Sequence, residues 1–345
     1  MGRMMKAAAL IAIAFALIGS ARLTRDEPGS TCSARSGVGV RWLSVAAAPE
    51  LAAIDRWCHG VGAPALVAAG ARQPAVQPGP PVIVSWNTHV GAGDIDRLVD
   101  DLRRGTLTGG APVSSFVLLL QEVYRAGIDV PAAAAGAAWA SAQRHRNPQG
   151  GRDDLAVTAR RLGLGAFYAP SMRNGAPDVN EDRGNAILST MPLSDLTAIE
   201  LPLERQRRVA LQATITVTVP GHPPMPMRLV CTHFTNMVMH HLWVLSQSGR
   251  LRQARALSTV LPAEGALVLG GDFNAWFGYR DAAYKELHAK VPAPSSDDRR
   301  ATFGPMRLDH VLTRLPQAWR ASVRRADSRY GSDHYPLITT IQPPS

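Results

Sequence analysis

The chain has 345 residues, of which 46% are hydrophobic and 6% aromatic, so it can bury one large core or two ordinary ones with an aliphatic α/β interior. Its formal net charge of +10 favours polyanionic partners such as nucleic acid, phospholipid headgroups or inositol phosphates. An arginine-rich composition gives the same charge without any partner, so charge does not choose among them. Beyond the N-terminus, no segment is apolar for long enough to cross a bilayer.

The first 21 residues have the features of an export signal. Arg3 and Lys6 form a basic region, residues 7–18 form an apolar stretch, and residues 19–21 (Gly-Ser-Ala) form a small-residue cleavage site. The apolar stretch is short for a membrane span, which needs about 20 residues. We therefore expect residues 1–21 to direct the chain to the periplasm or the exterior, with an N-terminal membrane anchor as the alternative.

The three cysteines are Cys32, Cys58 and Cys231. Outside the cytoplasm, Cys32 and Cys58 can form a disulfide that closes the N-terminal segment, and their spacing alone does not decide whether they do. Cys231 would then remain in an apolar strand. No Cys-x-x-Cys or cysteine–histidine motif accompanies the three, which argues against a zinc site.

The composition divides the chain into an N-terminal extension with a linker, residues 22–79, and a catalytic domain, residues 80–343. The extension is rich in Ala, Pro and Gly, whereas short apolar runs alternate with helix-like stretches from residue 81 onward. The predicted strands are 82–86, 115–120, 185–189, 208–218, 227–232, 266–270, 308–313 and 335–341. The predicted helices are 49–57, 94–104, 153–162, 247–260 and 280–289.

Polar side chains follow these apolar strands at the points where the strands end or begin. They are Asn87, Gln121, Glu122, His233, Asp272, Asn274, Asp309, Asp333 and His334. Each one alone is typical of a turn or of a solvated strand end. Together they indicate a site, because α/β enzymes assemble acid, amide and imidazole groups from several strand ends along one edge of a sheet.

In this order, the residues resemble the endonuclease/exonuclease/phosphatase superfamily, which includes deoxyribonucleases, abasic-site endonucleases, bacterial sphingomyelinases and inositol polyphosphate 5-phosphatases. The resemblance runs from Val82 to Ile341. It rests on Ser85–Trp86–Asn87, Gln121–Glu122, Gly184 to Ser189, Thr232–His233, Gly271 to Asn274, Leu308–Asp309–His310 and Ser332 to Pro336. It implies an α/β fold, a four-layer α/β/β/α sandwich in which two mixed β-sheets pack face to face, with the site at one end of the sheets.

The resemblance also implies a metal site. Asn87, Glu122 and Asp333 would be the metal ligands, and their oxygen atoms suit Mg²⁺ or Mn²⁺. Asp272 would orient or deprotonate the attacking water, and Asn274 would hold a phosphate oxygen. These roles agree with phosphodiester hydrolysis, in which negative charge on the phosphoryl and leaving oxygens must be stabilised.

Two histidines and two further residues complete the implied site. His334 would contact the phosphate or act as acid or base, with Asp309 hydrogen-bonded to its other ring nitrogen. His233 would act on the leaving-group side of the phosphate. A histidine at this position argues against the abasic-site endonuclease branch. Arg183 and Asn185 are candidates for phosphate binding.

We therefore expect an exported, divalent-metal-dependent phosphoesterase that hydrolyses phosphodiesters, with no protein partner. A nuclease is the first candidate, because arginines between the glutamate strand and Gly184 are available for backbone phosphates. They are Arg144, Arg146, Arg152, Arg160 and Arg161.

Two alternatives remain. A sphingomyelinase-like or other lipid or inositol headgroup phosphoesterase would touch a membrane surface through apolar residues at 237–244 and 276–277, although ordinary packing beside the site explains these residues better. The alternative of another class is a catalytically silent binding module. The intact acidic and histidine positions argue against it, because unused buried charges are costly.

Overall fold

The computed structural model describes five stretches of the chain, residues 39–70, 79–132, 154–174, 180–236 and 246–344. Several features discussed above lie outside these residues. They are the export signal at 1–21, Cys32, Arg144, Arg146, Arg152 and the apolar segment 237–244.

The first sheet has six strands and mixes parallel with antiparallel pairing. In order across the sheet, they are β1 (Arg41–Ser44), β7 (Ser194–Glu200), β8 (Val209–Val217), β9 (Met225–His233), β10 (Ala266–Asp272) and β12 (Asp309–Arg314). The pairs β1–β7 and β9–β10 are parallel, and the others are antiparallel. Because β9 and β10 run in parallel, their carboxyl ends lie side by side at one edge.

The second sheet has eight strands and is also mixed. In order across the sheet, they are β11 (Ser296–Asp297), β13 (Arg320–Arg325), β14 (Leu337–Gln342), β3 (Val82–Asn87), β4 (Phe116–Ala126), β6 (Glu181–Ser189), β5 (Gly165–Arg173) and β2 (Ala65–Val67). The central pair β3–β4 is parallel, so these two strands also end side by side.

Five α-helices accompany the sheets in the described residues. They are α1 (Leu51–His59), α2 (Ile95–Arg103), α3 (Leu155–Leu162), α4 (Ser248–Val260) and α5 (Ala282–His288). Aspartate side chains determine where three of them begin: Asp94 accepts a hydrogen bond from the Arg97 amide, Asp154 from those of Ala156 and Val157, and Asp281 from that of Ala283. Helix α3 ends at Gly163, whose φ of 74° most other residues adopt only with strain.

Three buried clusters separate four layers. Val117 and Leu119 of the eight-stranded sheet share the central cluster with Leu229 and Val268 of the six-stranded sheet, which places these faces against each other. Helices α2 and α3 cover the outer face of the larger sheet, and α4 and α5 cover that of the smaller one. Burying one such Val or Leu side chain contributes about 1.5–3 kcal/mol, so the layers are held mainly by aliphatic packing. The predicted α/β/β/α sandwich is confirmed.

The predicted elements are present, and the structure adds strands that were not predicted. All five helices occur with ends that differ by no more than two residues, and the eight predicted strands correspond to β3, β4, β6, β8, β9, β10, β12 and β14. Strands β1, β2, β5, β7, β11 and β13 were missed. Pro170 interrupts the apolar pattern of β5, and β7 and β13 are rich in polar residues, so their pairing depends on neighbouring strands more than on local propensity.

The described part of the N-terminal extension, residues 39–70, joins both sheets. Strand β1 pairs in parallel with β7, and β2 pairs antiparallel with β5. Cys58 of α1 is disulfide-bonded to a partner outside the described residues, whereas Cys231 is a buried free thiol. Among the described residues, no helix is long and apolar enough to span a membrane.

Candidate functional site

The strand ends of both sheets meet at one edge of the sandwich. Asp272 is the last residue of β10, and in the strand register it lies opposite His233 on β9 and Asp309 on β12. The two sheets approach closely just before this point, because Gly270 carries no side chain: a Cβ there would lie 3.0 Å from the Cβ of Ser85 on β3. The six-stranded sheet is thereby brought against the end of β3, which carries Asn87.

Asp272 lies at the centre of the site and is buried. Its Oδ2 accepts a hydrogen bond from Asn87 Nδ2 at 3.0 Å, and its Oδ1 accepts one from the backbone N–H of Asn274 at 2.8 Å. Nε2 of His233 lies 3.4 Å from Oδ2, and Nε2 of His334 lies 3.9 Å from the same oxygen. One carboxylate therefore faces two imidazole rings.

Burial raises the pKa of Asp272 to about 6, and the nearby charge of Asp309 adds to this effect. The opposing influences, the charge of His334 and the hydrogen bonds from Asn274 and Asn87, are smaller. Asp272 therefore remains mostly ionised at neutral pH and is more basic than an ordinary carboxylate.

His334 has an acidic partner on the side of the ring away from Asp272. Its Nδ1 donates a hydrogen bond to Asp309 Oδ2 at 2.8 Å, and the ring centroid of Phe303 lies 4.8 Å from that of His334. Burial lowers the pKa of His334, but the charges of Asp309, Asp272 and Asp333 outweigh burial and raise it to about 10. At neutral pH the ring is therefore an imidazolium that can donate from Nε2.

Glu122 occupies a β-bulge, where the register between β4 and β6 shifts between Leu120 and Val123. Its φ is 53°, a left-handed conformation that is unfavourable for glutamate and costs on the order of 1–3 kcal/mol. The bulge turns the carboxylate into a pocket at the sheet edge. Among the described residues, no hydrogen bond or ion pair engages this carboxylate, so both oxygens remain available to a ligand.

Asn87 and Asp333 share a neighbour that the sequence analysis missed, His89. The backbone N–H of His89 donates to Asn87 Oδ1 at 2.9 Å, and Nδ1 of His89 lies 3.0 Å from Asp333 Oδ2. The hydrogen bond with Asp333 raises the pKa of His89 against the effect of burial. No pattern singles out His89, although its position two residues after Asn87 is a weak signal.

The oxygen atoms of Glu122, Asn87 and Asp333 are of the type that a hard divalent cation prefers, although Asn87 Oδ1 and Asp333 Oδ2 already contact His89. A second set fits one poorly, although ligand atoms of Asp272, Asp309 and His334 lie within 4.8 Å of one another. Nδ1 of His334 and one oxygen of Asp309 already share a hydrogen bond, and a protonated ring repels a cation.

Two arginines line the pocket beside Glu122 and His233: Arg183 on β6, and Arg208 immediately before β8. Their exposed fractions are 6% and 4%, and neither forms a salt bridge with a described residue. Arg208 donates from Nη1 to His233 Nδ1 at 3.2 Å and from Nη2 to Gln206 Oε1 at 3.2 Å. Arg208 was not predicted as a site residue, and the only signal for it in the sequence is the pair Arg207–Arg208 directly before an apolar strand.

The two remaining predicted site residues, Asn185 and Asn274, each use one amide N–H for a hydrogen bond within the fold. Asn185 lines the same pocket, but its Nδ2 donates to the Val209 carbonyl at 2.8 Å and so links the two sheets. Asn274 donates from Nδ2 to the Phe234 carbonyl at 2.8 Å, and its φ of 48° is left-handed. Each amide nitrogen keeps a second N–H.

The four-layer sandwich gathers acidic, histidine and arginine side chains at one edge. The chain matches the model of the Endonuclease/Exonuclease/phosphatase family over residues 84–334. It therefore belongs to this family, whose members are phosphoesterases and usually depend on a divalent metal. No curated protein matches the chain.

Two solved structures have a similar fold. One is an endonuclease/exonuclease/phosphatase from Beutenbergia cavernae DSM 12333, with 18% identity, a TM-score of 0.52, and coverage of 76% of this chain and 71% of that chain. The other is an endonuclease/exonuclease/phosphatase family protein from Leptotrichia buccalis C-1013-b, with 12% identity, a TM-score of 0.51, and coverage of 76% and 100%. At these identities the similarity shows the fold alone.

Proposed function

We propose that the protein is a divalent-metal-dependent phosphodiesterase that acts on nucleic acid. The observation that carries the reaction type is the buried carboxylate of Asp272 between the Nε2 atoms of His233 and His334, with Asp309 hydrogen-bonded behind His334. This arrangement offers a basic carboxylate and a protonated imidazole within one small space, which is what hydrolysis by water and protonation of a leaving oxygen need.

We assign metal binding to Glu122, Asn87 and Asp333, with Mg²⁺ or Mn²⁺ as the ion. The bound ion would neutralise negative charge on the phosphoryl oxygens. The support is the donor chemistry of the three side chains and the unengaged carboxylate of Glu122 in its strained bulge.

The other roles follow from the hydrogen bonds of the site. Asp272 orients the attacking water and accepts its proton, and Asn87 and Asn274 hold the carboxylate in place. His334 contacts the phosphate and donates a proton toward the leaving oxygen, while Asp309 stabilises its positive charge. Arg183 and the second N–H groups of Asn185 and Asn274 are available to phosphate oxygens.

The position of basic groups beside the site supports nucleic acid as the substrate class. The net charge is +10, and arginines continue beyond the pocket: Arg325 and Arg329 lie over the ring of Tyr335, with 3.9 and 4.6 Å from guanidinium carbon to ring centroid. Tyr335 directly follows His334. Basic groups beside an active site bind the phosphates that flank a scissile bond in a polynucleotide.

The described residues support the lipid alternative less. Phe277 is 40% exposed near the site, but Trp276 packs edge-on against Phe303 at 6.3 Å between ring centroids. One exposed aromatic side chain is a small surface for insertion into a membrane.

The test is a parallel assay of the full-length protein with Mg²⁺ on plasmid DNA, RNA, sphingomyelin liposomes and inositol phosphates. We expect hydrolysis of DNA or RNA, loss of activity with a chelator, and DNA binding that weakens steeply with added salt. Hydrolysis of sphingomyelin alone, or binding indifferent to salt, would replace the nuclease proposal with the headgroup alternative.

We also propose that the protein is exported, on the basis of residues 1–21. The test is to express the full chain with a C-terminal tag and to locate it by cell fractionation. Recovery only in the cytoplasm, with the N-terminus intact, would contradict export.

A further inference from the structure

The two histidines that face Asp272 have opposite neighbours on the far side of their rings. Nδ1 of His334 meets the carboxylate of Asp309 at 2.8 Å. Nδ1 of His233 meets the guanidinium of Arg208 at 3.2 Å. One ring is therefore supported by an acid and the other by a cation, although both Nε2 atoms lie within 3.9 Å of the same carboxylate oxygen.

The hydrogen-bonding capacity of arginine determines the state of His233. A guanidinium has five N–H donors and no acceptor, so Nδ1 of His233 must accept with its lone pair and carries no proton. A neutral imidazole has one proton, which must then be on Nε2. With Nδ1 accepting from Arg208 and Nε2 protonated, neither ring nitrogen of His233 can accept a further proton.

We infer that Arg208 is a positioning residue that holds His233 as a neutral ring protonated at Nε2, so that His233 acts in the reaction only as a hydrogen-bond donor and never as the base. The inference rests on the proposed function for the reaction, but the state of the ring is a property of the free protein. The oxygen that receives the hydrogen bond belongs to the phosphate or to the leaving group.

The surroundings of Arg208 keep this contact in place. The side chain is 4% exposed, and Gln206 accepts from its other terminal nitrogen, so the guanidinium is held on both sides. The charged groups around His233 are Arg208, Arg183 and His334, which disfavour a second proton, and Asp272 and Glu122, which favour one. Burial is the largest influence, and together with the cations it lowers the pKa of His233 well below its ordinary value.

The experiment is NMR of the full-length protein labelled with ¹⁵N at histidine side chains, in which two-bond proton–nitrogen couplings report which ring nitrogen is protonated. The resonances of His233 are assigned by their loss in His233→Gln. Near neutral pH we expect Nδ1 of His233 to be unprotonated and Nε2 to carry the proton. A proton on Nδ1 in the wild-type protein would overturn the inference, whatever the variants show.

Two variants at position 208 test whether Arg208 determines the protonation state of His233. Arg208→Lys keeps a cationic donor, and we expect it to leave His233 neutral and protonated at Nε2. In Arg208→Gln the amide oxygen can accept from Nδ1, so we expect a proton on both nitrogens at mildly acidic pH. We expect kcat to fall in this variant on the order of 10²-fold, because a doubly protonated ring pairs with Asp272 and turns Nε2–H away from the substrate.

The matched control is Arg183→Gln, which removes a buried arginine from the same pocket without breaking a hydrogen bond to His233. We expect its His233 spectrum to match that of the wild type. An unchanged His233 spectrum in Arg208→Gln, or a doubly protonated ring in Arg208→Lys, would contradict the proposed role. Because the spectra need no substrate, they decide this inference even if every assayed substrate proves inert.

Discussion

At the scale of single residues, His233 and His334 have the same side chain but differ in the charge of the residue that is hydrogen-bonded to Nδ1. Asp309 supports a positive charge on His334, whereas Arg208 opposes one on His233. Two carboxylates differ in the same way. Glu122 has no described partner, while Asp272 is held by Asn87 and Asn274. Environment, more than residue type, assigns acid, base and ligand roles within one site.

The negative charge of Asp272 is needed for its proposed role as the base. Asp272→Asn preserves the size of the side chain and an acceptor for the Asn274 amide but removes the negative charge. We expect kcat to fall on the order of 10³-fold, the scale of losing a general base, with an unchanged far-ultraviolet circular dichroism spectrum. The measurement is the initial rate on the substrate identified by the parallel assay.

The control for this variant is Asp327→Asn, since Asp327 is a 75% exposed carboxylate whose ion-pair partner is Arg300. It should retain wild-type activity. Retained activity in Asp272→Asn would remove Asp272 from the mechanism.

At the scale of elements, the site depends on close backbone approach between neighbouring strands. Gly271 on β10 lies against Thr232 on β9, and a Cβ at Gly271 would lie 1.9 Å from the Thr232 carbonyl oxygen. The clash involves backbone on both sides, so no side chain can move to relieve it. The glycine before Asp272 is therefore required by packing.

We expect Gly271→Ala to destabilise the fold by about 3 kcal/mol, at the upper end of the usual range for overpacking, and to displace His233 from Asp272. Chemical denaturation measures the change in the free energy of unfolding. Gly165→Ala on β5 is the control, because its Cβ would meet its nearest neighbour at an ordinary 3.6 Å. A Gly271→Ala protein as stable as this control would show that the strands can separate freely.

The short edge strand β11 is tied to β13 through Asp298, which directly follows it. Arg300 donates to this carboxylate from its side chain, and the backbone N–H of Arg325 donates at 3.0 Å. The hydrogen bonds from Arg300 lower the pKa of Asp298 below its ordinary value. The folded state therefore binds this proton more weakly than the unfolded state does.

A carboxyl group with a lowered folded pKa stabilises the fold at pH values above its unfolded pKa of about 4, and this contribution is lost as pH falls through the folded pKa. We expect Asp298→Asn to lower the free energy of unfolding by about 1 kcal/mol at pH 7, a modest effect because Arg300 is largely solvent-screened. The difference should shrink below pH 4 in thermal unfolding. Asp100→Asn, an exposed position on α2, is the control, and a difference independent of pH would refute the ionic explanation.

At the scale of the whole molecule, both sheets are needed for one site. Asn87 and Glu122 come from the eight-stranded sheet, whereas His233, Asp272 and Asp309 come from the six-stranded sheet. The apolar layer between the sheets determines the distance between these two groups. A ligand that engages the edge of either sheet should therefore stabilise the complete fold by mass action.

Metal binding tests this consequence without a substrate. We expect Mg²⁺ at about 100 times its dissociation constant to raise the free energy of unfolding by about 2.7 kcal/mol, and a chelator to reverse the gain. Glu122→Gln should abolish the gain, whereas Glu264→Gln, at an exposed position away from the site, should retain it. If Glu122→Gln responds to Mg²⁺ as the wild type does, Glu122 is not a ligand.

The sequence by itself determined the positions of the long strands and the residue types at their ends, whereas the layered fold was implied by the family resemblance. These features are readable because each polar group follows within a few residues of an apolar run that must be buried. Strands β1 and β2 were not readable, because edge strands of four and three residues show too short a pattern. Their place depends on pairing with β7 and β5.

Only the tertiary structure decided which groups touch. Arg208 reaches His233 from 25 residues earlier because β8 and β9 pair antiparallel in one register, and a shift of one residue would turn the side chain to the other face. His89 meets Asp333 because β3 and β14 are neighbours across the sheet. The local sequence pattern specifies which residues a strand end carries. Strand register and sheet packing specify which neighbours those residues contact. The protonation of each histidine depends on these neighbours.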